Sequence, residues 1–92
     1  RSWWAPVLDD STRLHPPAYQ AYAVLTMCRV LYTLRHGAIV PKPVAARWAQ
    51  AEIGDRWAAL IDCAMAWPGV PFDDLPQVLD LIRYTRDRIS RA

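Results

Sequence analysis

Helical periodicity dominates the chain from residue 18 onward. Between Ala18 and His36 apolar side chains cover most sides, which predicts a helix that is central or lies beneath another domain. Gly37 follows at the position of a C-terminal cap. Polar residues on this segment recur at intervals of three and four and form one narrow stripe: Thr26, Arg29, Thr33 and His36.

Two shorter helices are predicted in the middle of the chain. The first begins at Pro43, because proline suits the first turn of a helix, and stops near Gly54. The second follows a cap at Asp55 and ends before Pro68. Trp48 and Trp57 fall on their apolar faces. We therefore assign both tryptophans to the core.

A last helix follows a cap at Asp73 or Asp74 and runs to about Arg91. Tyr84 falls on its polar side, which is an unusual place for a large aromatic ring. The opposite, apolar face is predicted to carry Leu75, Val78, Leu79, Ile82 and Ile89.

The first 17 residues, RSWWAPVLDDSTRLHPP, mix aromatic, acidic and proline residues without periodicity. This pattern is typical of an irregular surface loop. No segment of the chain alternates over the length of a strand. We therefore predict an all-α fold, a small bundle of four helices at 18–92, preceded by an irregular leading loop at 1–17.

Composition excludes some classes of function. The chain has 92 residues and 53% hydrophobic residues, enough for one small core. Eleven basic and nine acidic residues give a net charge of +2, too balanced for a protein that binds nucleic acid by neutralising phosphates. Five tryptophans and four tyrosines are many for such a core, so we expect some to face a partner or a ligand.

Cys28 and Cys63 both lie in apolar helical segments without metal-ligand spacing, which indicates reduced core residues of a cytoplasmic protein. No apolar run reaches the roughly 20 residues that span a bilayer, and no signal-peptide pattern opens the chain. We therefore expect neither a membrane nor a nucleic acid among the partners.

Lys42 is the only lysine in the chain and lies between Pro41 and Pro43. Pro43 disfavours helical backbone at Lys42, so its ammonium is expected to project beside the N-terminus of the second helix. The free amides and the helix dipole there also attract negative charge. These features favour a small anion site suited to phosphates, although a solvated lysine is the simpler alternative.

The segment VLTMCRVLYTLRHGAIVPKPVAARWA, residues 24–49, resembles the C-terminal helical domain of the streptomycin/spectinomycin 3''(9)-adenylyltransferase family. The segment RYTRDRI near the end is similar to the terminal helix of that family. The resemblance extends over most of the chain from about Ala21. It implies that residues 18–92 are the domain that closes over nucleotide and substrate in a two-domain enzyme associated with antibiotic resistance.

The resemblance implies that AMP passes from Mg-ATP to an aminoglycoside hydroxyl. It also implies that an N-terminal nucleotidyltransferase domain supplies the metal-binding carboxylates and the general base. Lys42 matches a lysine that contacts the ATP phosphates, and Tyr84 matches a tyrosine that lines the nucleotide site. Ala21 stands where the family has an arginine. The chain lacks the catalytic motifs, so we expect no transfer by this chain alone and no tightly bound ATP or Mg²⁺.

The leading loop contains candidate contacts for the aminoglycoside. Asp9 and Asp10 have carboxylates that can pair with ammonium groups, and Trp4, or its neighbour Trp3, can stack on a sugar ring. A solvated turn is the alternative for the two aspartates.

Three other functions remain open from the sequence. Arg29 and His36 share the polar stripe of the first helix and could serve a helical ribonuclease. The second and third helices could form a helix-turn-helix, although they lack a basic face. The chain could also be an interaction domain without a ligand, in which the apolar sides of the first helix pair two copies as a homodimer.

Overall fold

The computed structural model describes residues 10–91 and contains no strand among them. The predicted all-α bundle of four helices is confirmed. A short 3-10 turn at Ser11–Leu14 precedes the helices α1 (Pro17–His36), α2 (Lys42–Glu52), α3 (Asp55–Ala66) and α4 (Leu75–Arg91).

α1 is the central helix, as its apolar pattern predicts. It packs against α2, α3 and α4, and its side chains at Val24, Met27 and Cys28 are fully buried. Gly37 ends the helix in the left-handed conformation with a φ of 67°, and its amide donates to the Thr33 carbonyl. Glycine adopts this conformation without the steric penalty that other residues meet, which explains the abrupt end.

α2 begins one residue earlier than predicted. Lys42 is its first residue, and the extended backbone lies at Pro41, with a φ of −59° and a ψ of 154°. Pro43 is tolerated at the second helical position because amides of the first turn need no partner within the helix. The inner face of α2 consists of alanines, all fully buried, and these small side chains allow close approach to α1: Ala45, Ala46 and Ala49.

α3 begins at Asp55, and Gly54, with a φ of 102°, occupies the cap position that we predicted for Asp55. Trp57 is only 2% exposed, which confirms it as a core residue. Trp48, also assigned to the core, is half-buried at its edge. Cys28 is buried and Cys63 half-buried, and both thiols are free.

The inner face of α4 differs from the predicted stripe. Leu81 and Thr85 are buried together with Val78 and Ile82, whereas Leu79 is only half-buried. Thr85 can be buried because its hydroxyl donates to the Leu81 carbonyl over 2.9 Å.

The predicted boundary between the leading loop and α1 is wrong by one residue. The loop was predicted to end at Pro17, but Pro17 is the first residue of α1.

A buried glutamine joins the start of α1 to the segment before α4. Gln20 Nε2 donates to the His15 carbonyl over 3.1 Å and to Asp73 Oδ1 over 2.8 Å. Its Oε1 accepts from the Asp74 amide over 2.8 Å. The Asp74 carboxylate in turn accepts from the Gln77 amide, so Asp74 is the residue that caps α4.

Candidate functional site

A wide groove lies along the solvent-facing side of α1, next to the first residue of α2. Its volume is about 580 Å³. We call it the lysine groove. Its lining comes from α1, from the connection to α2, from the start of α2 and from the end of α4: Tyr22, Thr26, Arg29, Val30, Thr33, Leu34, Ile39, Lys42 and Ile89.

Lys42 reaches this groove across an aromatic ring. Its Nζ lies 4.4 Å from the centroid of the Tyr22 ring, and that tyrosine is 54% exposed. Within residues 10–91 Lys42 forms no ion pair. The ring attracts the ammonium without neutralising it, so the positive charge remains available at the N-terminal end of α2, where the helix dipole is also positive.

Arg29 brings a second positive charge to the lysine groove. Arg29 lines the groove together with Thr26 and Thr33, so most of the polar stripe of α1 contributes to it. A residue of this stripe could also form an ion pair with a neighbouring helix. Among the described residues, however, Arg29 takes part in no ion pair with another helix. Sequence reasoning therefore missed Arg29 as a site residue, although the stripe itself was the signal.

Tyr84, predicted on the polar side of α4, lies at the edge of the core. It is half-buried, and its ring centroid lies 5.9 Å from that of Trp57 in the core. Its other side lines a second pocket of about 350 Å³, which we call the arginine pocket. The lining of this pocket is Leu31, Leu34, Arg35, Trp48, Glu52, Ile53, Tyr84, Arg88 and Arg91.

The structure does not bring Lys42 and Tyr84 into one cavity. Lys42 lines the lysine groove and Tyr84 lines the arginine pocket. Leu34 contributes to the walls of both and is partly exposed between them. A ligand that touches both Lys42 and Tyr84 must therefore extend past Leu34.

The candidate contacts of the leading loop are only partly visible. Trp4 and Asp9, with Trp3, lie outside the described residues. The Asp10 carboxylate accepts from the Thr12 hydroxyl over 2.6 Å and from the Thr12 amide over 3.1 Å. These hydrogen bonds lower the pKa of Asp10 below its ordinary value. Asp10 thus caps the 3-10 turn and remains exposed and ionised near neutral pH.

Arg29 and His36 do not form a joint site. The His36 ring packs against Tyr32, with centroids 4.4 Å apart, and against Trp48 at 5.7 Å. Arg29 and His36 are seven positions apart on α1, which is roughly 10 Å along the helix axis. Arg29 lines the lysine groove, whereas His36 is absent from its lining. The arrangement therefore gives no support to an arginine–histidine nuclease.

Residues 10–91 include no group of three or more histidine, cysteine, aspartate or glutamate side chains that could hold a metal ion. No helix in the same range is both long and apolar enough to cross a membrane.

Comparison with known proteins identifies the family. No significant match was found among curated proteins or among solved structures. The family model described as "Aminoglycoside adenylyltransferase, C-terminal domain" matches residues 4–86, which include both α1 and Lys42 at the start of α2. The chain therefore belongs to the family of aminoglycoside adenylyltransferase C-terminal domains.

Proposed function

We propose that this chain is the ligand-binding half of an enzyme that transfers AMP from Mg-ATP to an aminoglycoside hydroxyl. The observation that carries the proposal is the position of Lys42. Its ammonium lies over the Tyr22 ring at the start of α2 and has no carboxylate partner among the described residues. An ammonium placed in this way suits a mobile polyphosphate.

The lysine groove offers several groups to a triphosphate. Lys42 and Arg29 contribute positive charge, and the first turn of α2 offers amides that need no helical partner. ATP supplies the adenylyl group that is transferred. The described residues contain no metal-ligand cluster, so in this proposal the carboxylates that bind Mg²⁺ belong to a separate catalytic domain.

Tyr84 is proposed as a more distant contact of the nucleotide. Because Leu34 separates the lysine groove from the arginine pocket, a nucleotide with its phosphates at Lys42 reaches Tyr84 only in an extended pose. Tyr84 would then pack on the nucleotide from its half-buried position beside Trp57.

The leading loop is proposed to bind the cationic sugar. Asp10 is exposed, and its lowered pKa keeps it ionised, which suits pairing with an aminoglycoside ammonium. Asp9 and Trp4 are proposed to act beside it, the first by charge and the second by stacking on a sugar ring.

The catalytic domain is proposed to cover the lysine groove. Tyr22 and Leu34 of α1 and Ile39 of the following loop are large apolar side chains that stay exposed around the groove. A contiguous apolar area of this kind is typical of an interface. The same exposed residues of α1 favour the second candidate, a homodimer, which size-exclusion chromatography with light scattering would detect.

The direct test is calorimetric titration with Mg-ATP, alone and with streptomycin or spectinomycin. Wild type is compared with Lys42→Gln, both as the 92-residue chain and with a family catalytic domain joined in front of it. We expect Lys42→Gln to weaken nucleotide binding about tenfold, because it removes a charged partner of the phosphates.

Arg47→Gln is the matched control for this titration. Arg47 lies on the same helix but pairs with Asp62, outside the lysine groove. Arg47→Gln should leave the affinity for Mg-ATP unchanged. Equal affinity for Mg-ATP in wild type and Lys42→Gln, in the two-domain protein, would contradict the proposed role of Lys42.

A further inference from the structure

The arginine pocket is lined by three arginines that the proposed binding of ATP phosphates at Lys42 does not require. Arg35 comes from the last turn of α1, and Arg88 and Arg91 come from the last turn of α4. Glu52, at the end of α2, is the single acidic residue in the lining. Three arginines and one glutamate therefore line a pocket of about 350 Å³.

These three arginines have no carboxylate partner within residues 10–91. Elsewhere in the same range, Arg47, Arg56, Arg83 and Arg86 each pair with a nearby aspartate. The Glu52 carboxylate forms no ion pair with any arginine of the pocket. The guanidinium groups of these three pocket residues are thus available to an anion from solution.

Helix ends explain only part of this arrangement. An arginine in the last turn of a helix is favoured by the negative end of the helix dipole. That preference acts within each helix, and it does not require arginines from two helices to converge on one cavity. It is the packing of α1 against α4 that brings Arg35 to the same pocket as Arg88 and Arg91.

The other residues that line the arginine pocket are apolar or aromatic. Leu31 is buried, and the half-buried rings of Trp48 and Tyr84 line the cavity beside it. The Arg88 guanidinium carbon lies 5.9 Å from the centroid of the Tyr84 ring. An aromatic ring can lie against these rings while an attached anion meets the guanidinium groups.

We propose that the arginine pocket binds a small aromatic phosphate ester. The guanidinium groups hold the phosphate by charge-assisted hydrogen bonds, and Trp48, Tyr84 and Leu31 hold the aromatic body. Tyr84 is shared with the proposed nucleotide site. In other respects this inference goes beyond the proposed function, because it needs neither Lys42 nor a catalytic domain.

The experiment is a calorimetric titration of the 92-residue chain with phenyl phosphate, with phenol and inorganic phosphate as partial ligands. We expect saturable binding of phenyl phosphate, and weaker binding of each partial ligand. Arg88→Gln with Arg91→Gln should weaken the binding of phenyl phosphate about tenfold or more, because two charged donors are lost. Arg35→Gln tests the contribution of α1 without altering α4.

Two control variants locate the site. Arg86 lies on α4 but pairs with Asp87 outside the pocket, so Arg86→Gln should leave the affinity for phenyl phosphate unchanged. Lys42→Gln should also leave it unchanged, which separates this inference from the proposed nucleotide site. Absence of saturable binding would overturn the proposal. Equal losses in the pocket variants and in Arg86→Gln, or a loss confined to Lys42→Gln, would do the same.

Discussion

The two sides of α1 differ in how they satisfy their polar groups. On the buried side, Gln20 is 0% exposed, and both its amide nitrogen and its carbonyl oxygen are hydrogen-bonded within the fold. On the groove side, Arg29 and the neighbouring Lys42 have no ion-pair partner among residues 10–91. A polar group satisfied inside the protein contributes to stability, whereas an unpaired cation at a groove is available for binding.

The largest effect on stability is expected at Gln20. Gln20→Leu leaves the Asp74 amide and the His15 carbonyl without the partners seen in the fold. Urea denaturation should show the free energy of unfolding lowered by about 3 kcal/mol. Gln50→Leu is the matched control, since Gln50 is half-buried at the exposed junction of α2 and α3. Equal losses of stability in Gln20→Leu and Gln50→Leu would show that the burial of Gln20 adds nothing to the stability of the fold.

Cys28 tests the buried side of α1 by its response to pH. Burial raises the pKa of its thiol from 9.0 to about 12. The unfolded chain therefore loses this proton at lower pH than the folded chain. The contribution to stability is complete below pH 9 and is lost as the pH rises through the window from 9 to about 12.

Urea denaturation near neutral pH and at about pH 10 measures the effect of Cys28. Cys28→Ala should show a smaller fall in the free energy of unfolding than wild type over this interval. Cys63→Ala is the control, because Cys63 is half-buried and this variant retains Cys28. Its free energy of unfolding should fall with pH as in wild type. A fall in Cys28→Ala as large as that in wild type would show that other groups cause the pH dependence.

The smallest effect on stability is expected on the groove side. Lys42→Gln removes a cation–π contact with an exposed ring and no ion pair. The free energy of unfolding should change by only about 0.5 kcal/mol in urea denaturation, even though we expect the affinity for Mg-ATP to fall. A loss of stability as large as that of Gln20→Leu would instead make Lys42 a structural residue.

The candidate site was only partly predictable from the sequence. Lys42 stood out because it is the only lysine and lies between two prolines, and the structure places it at the start of α2. Tyr84 was predicted on the polar side of α4; it is half-buried there, and its ring also packs against Trp57. The sequence could not show this contact, because a helix of the bundle has more than one neighbour and periodicity reports only the main buried stripe.

The sequence by itself determined the number of helices, their type and most of their ends, because the periodicity and the residues that end helices act over a few neighbouring positions. Gly37 and Asp74 are examples of such local signals. Only the tertiary structure decided that Arg35 and Arg88 line one pocket and that Leu34 lines both this pocket and the groove of Lys42. These positions depend on how α1 packs against α2 and α4. The packing geometry is set by the volumes of side chains that are far apart in the sequence, so no local pattern reveals it.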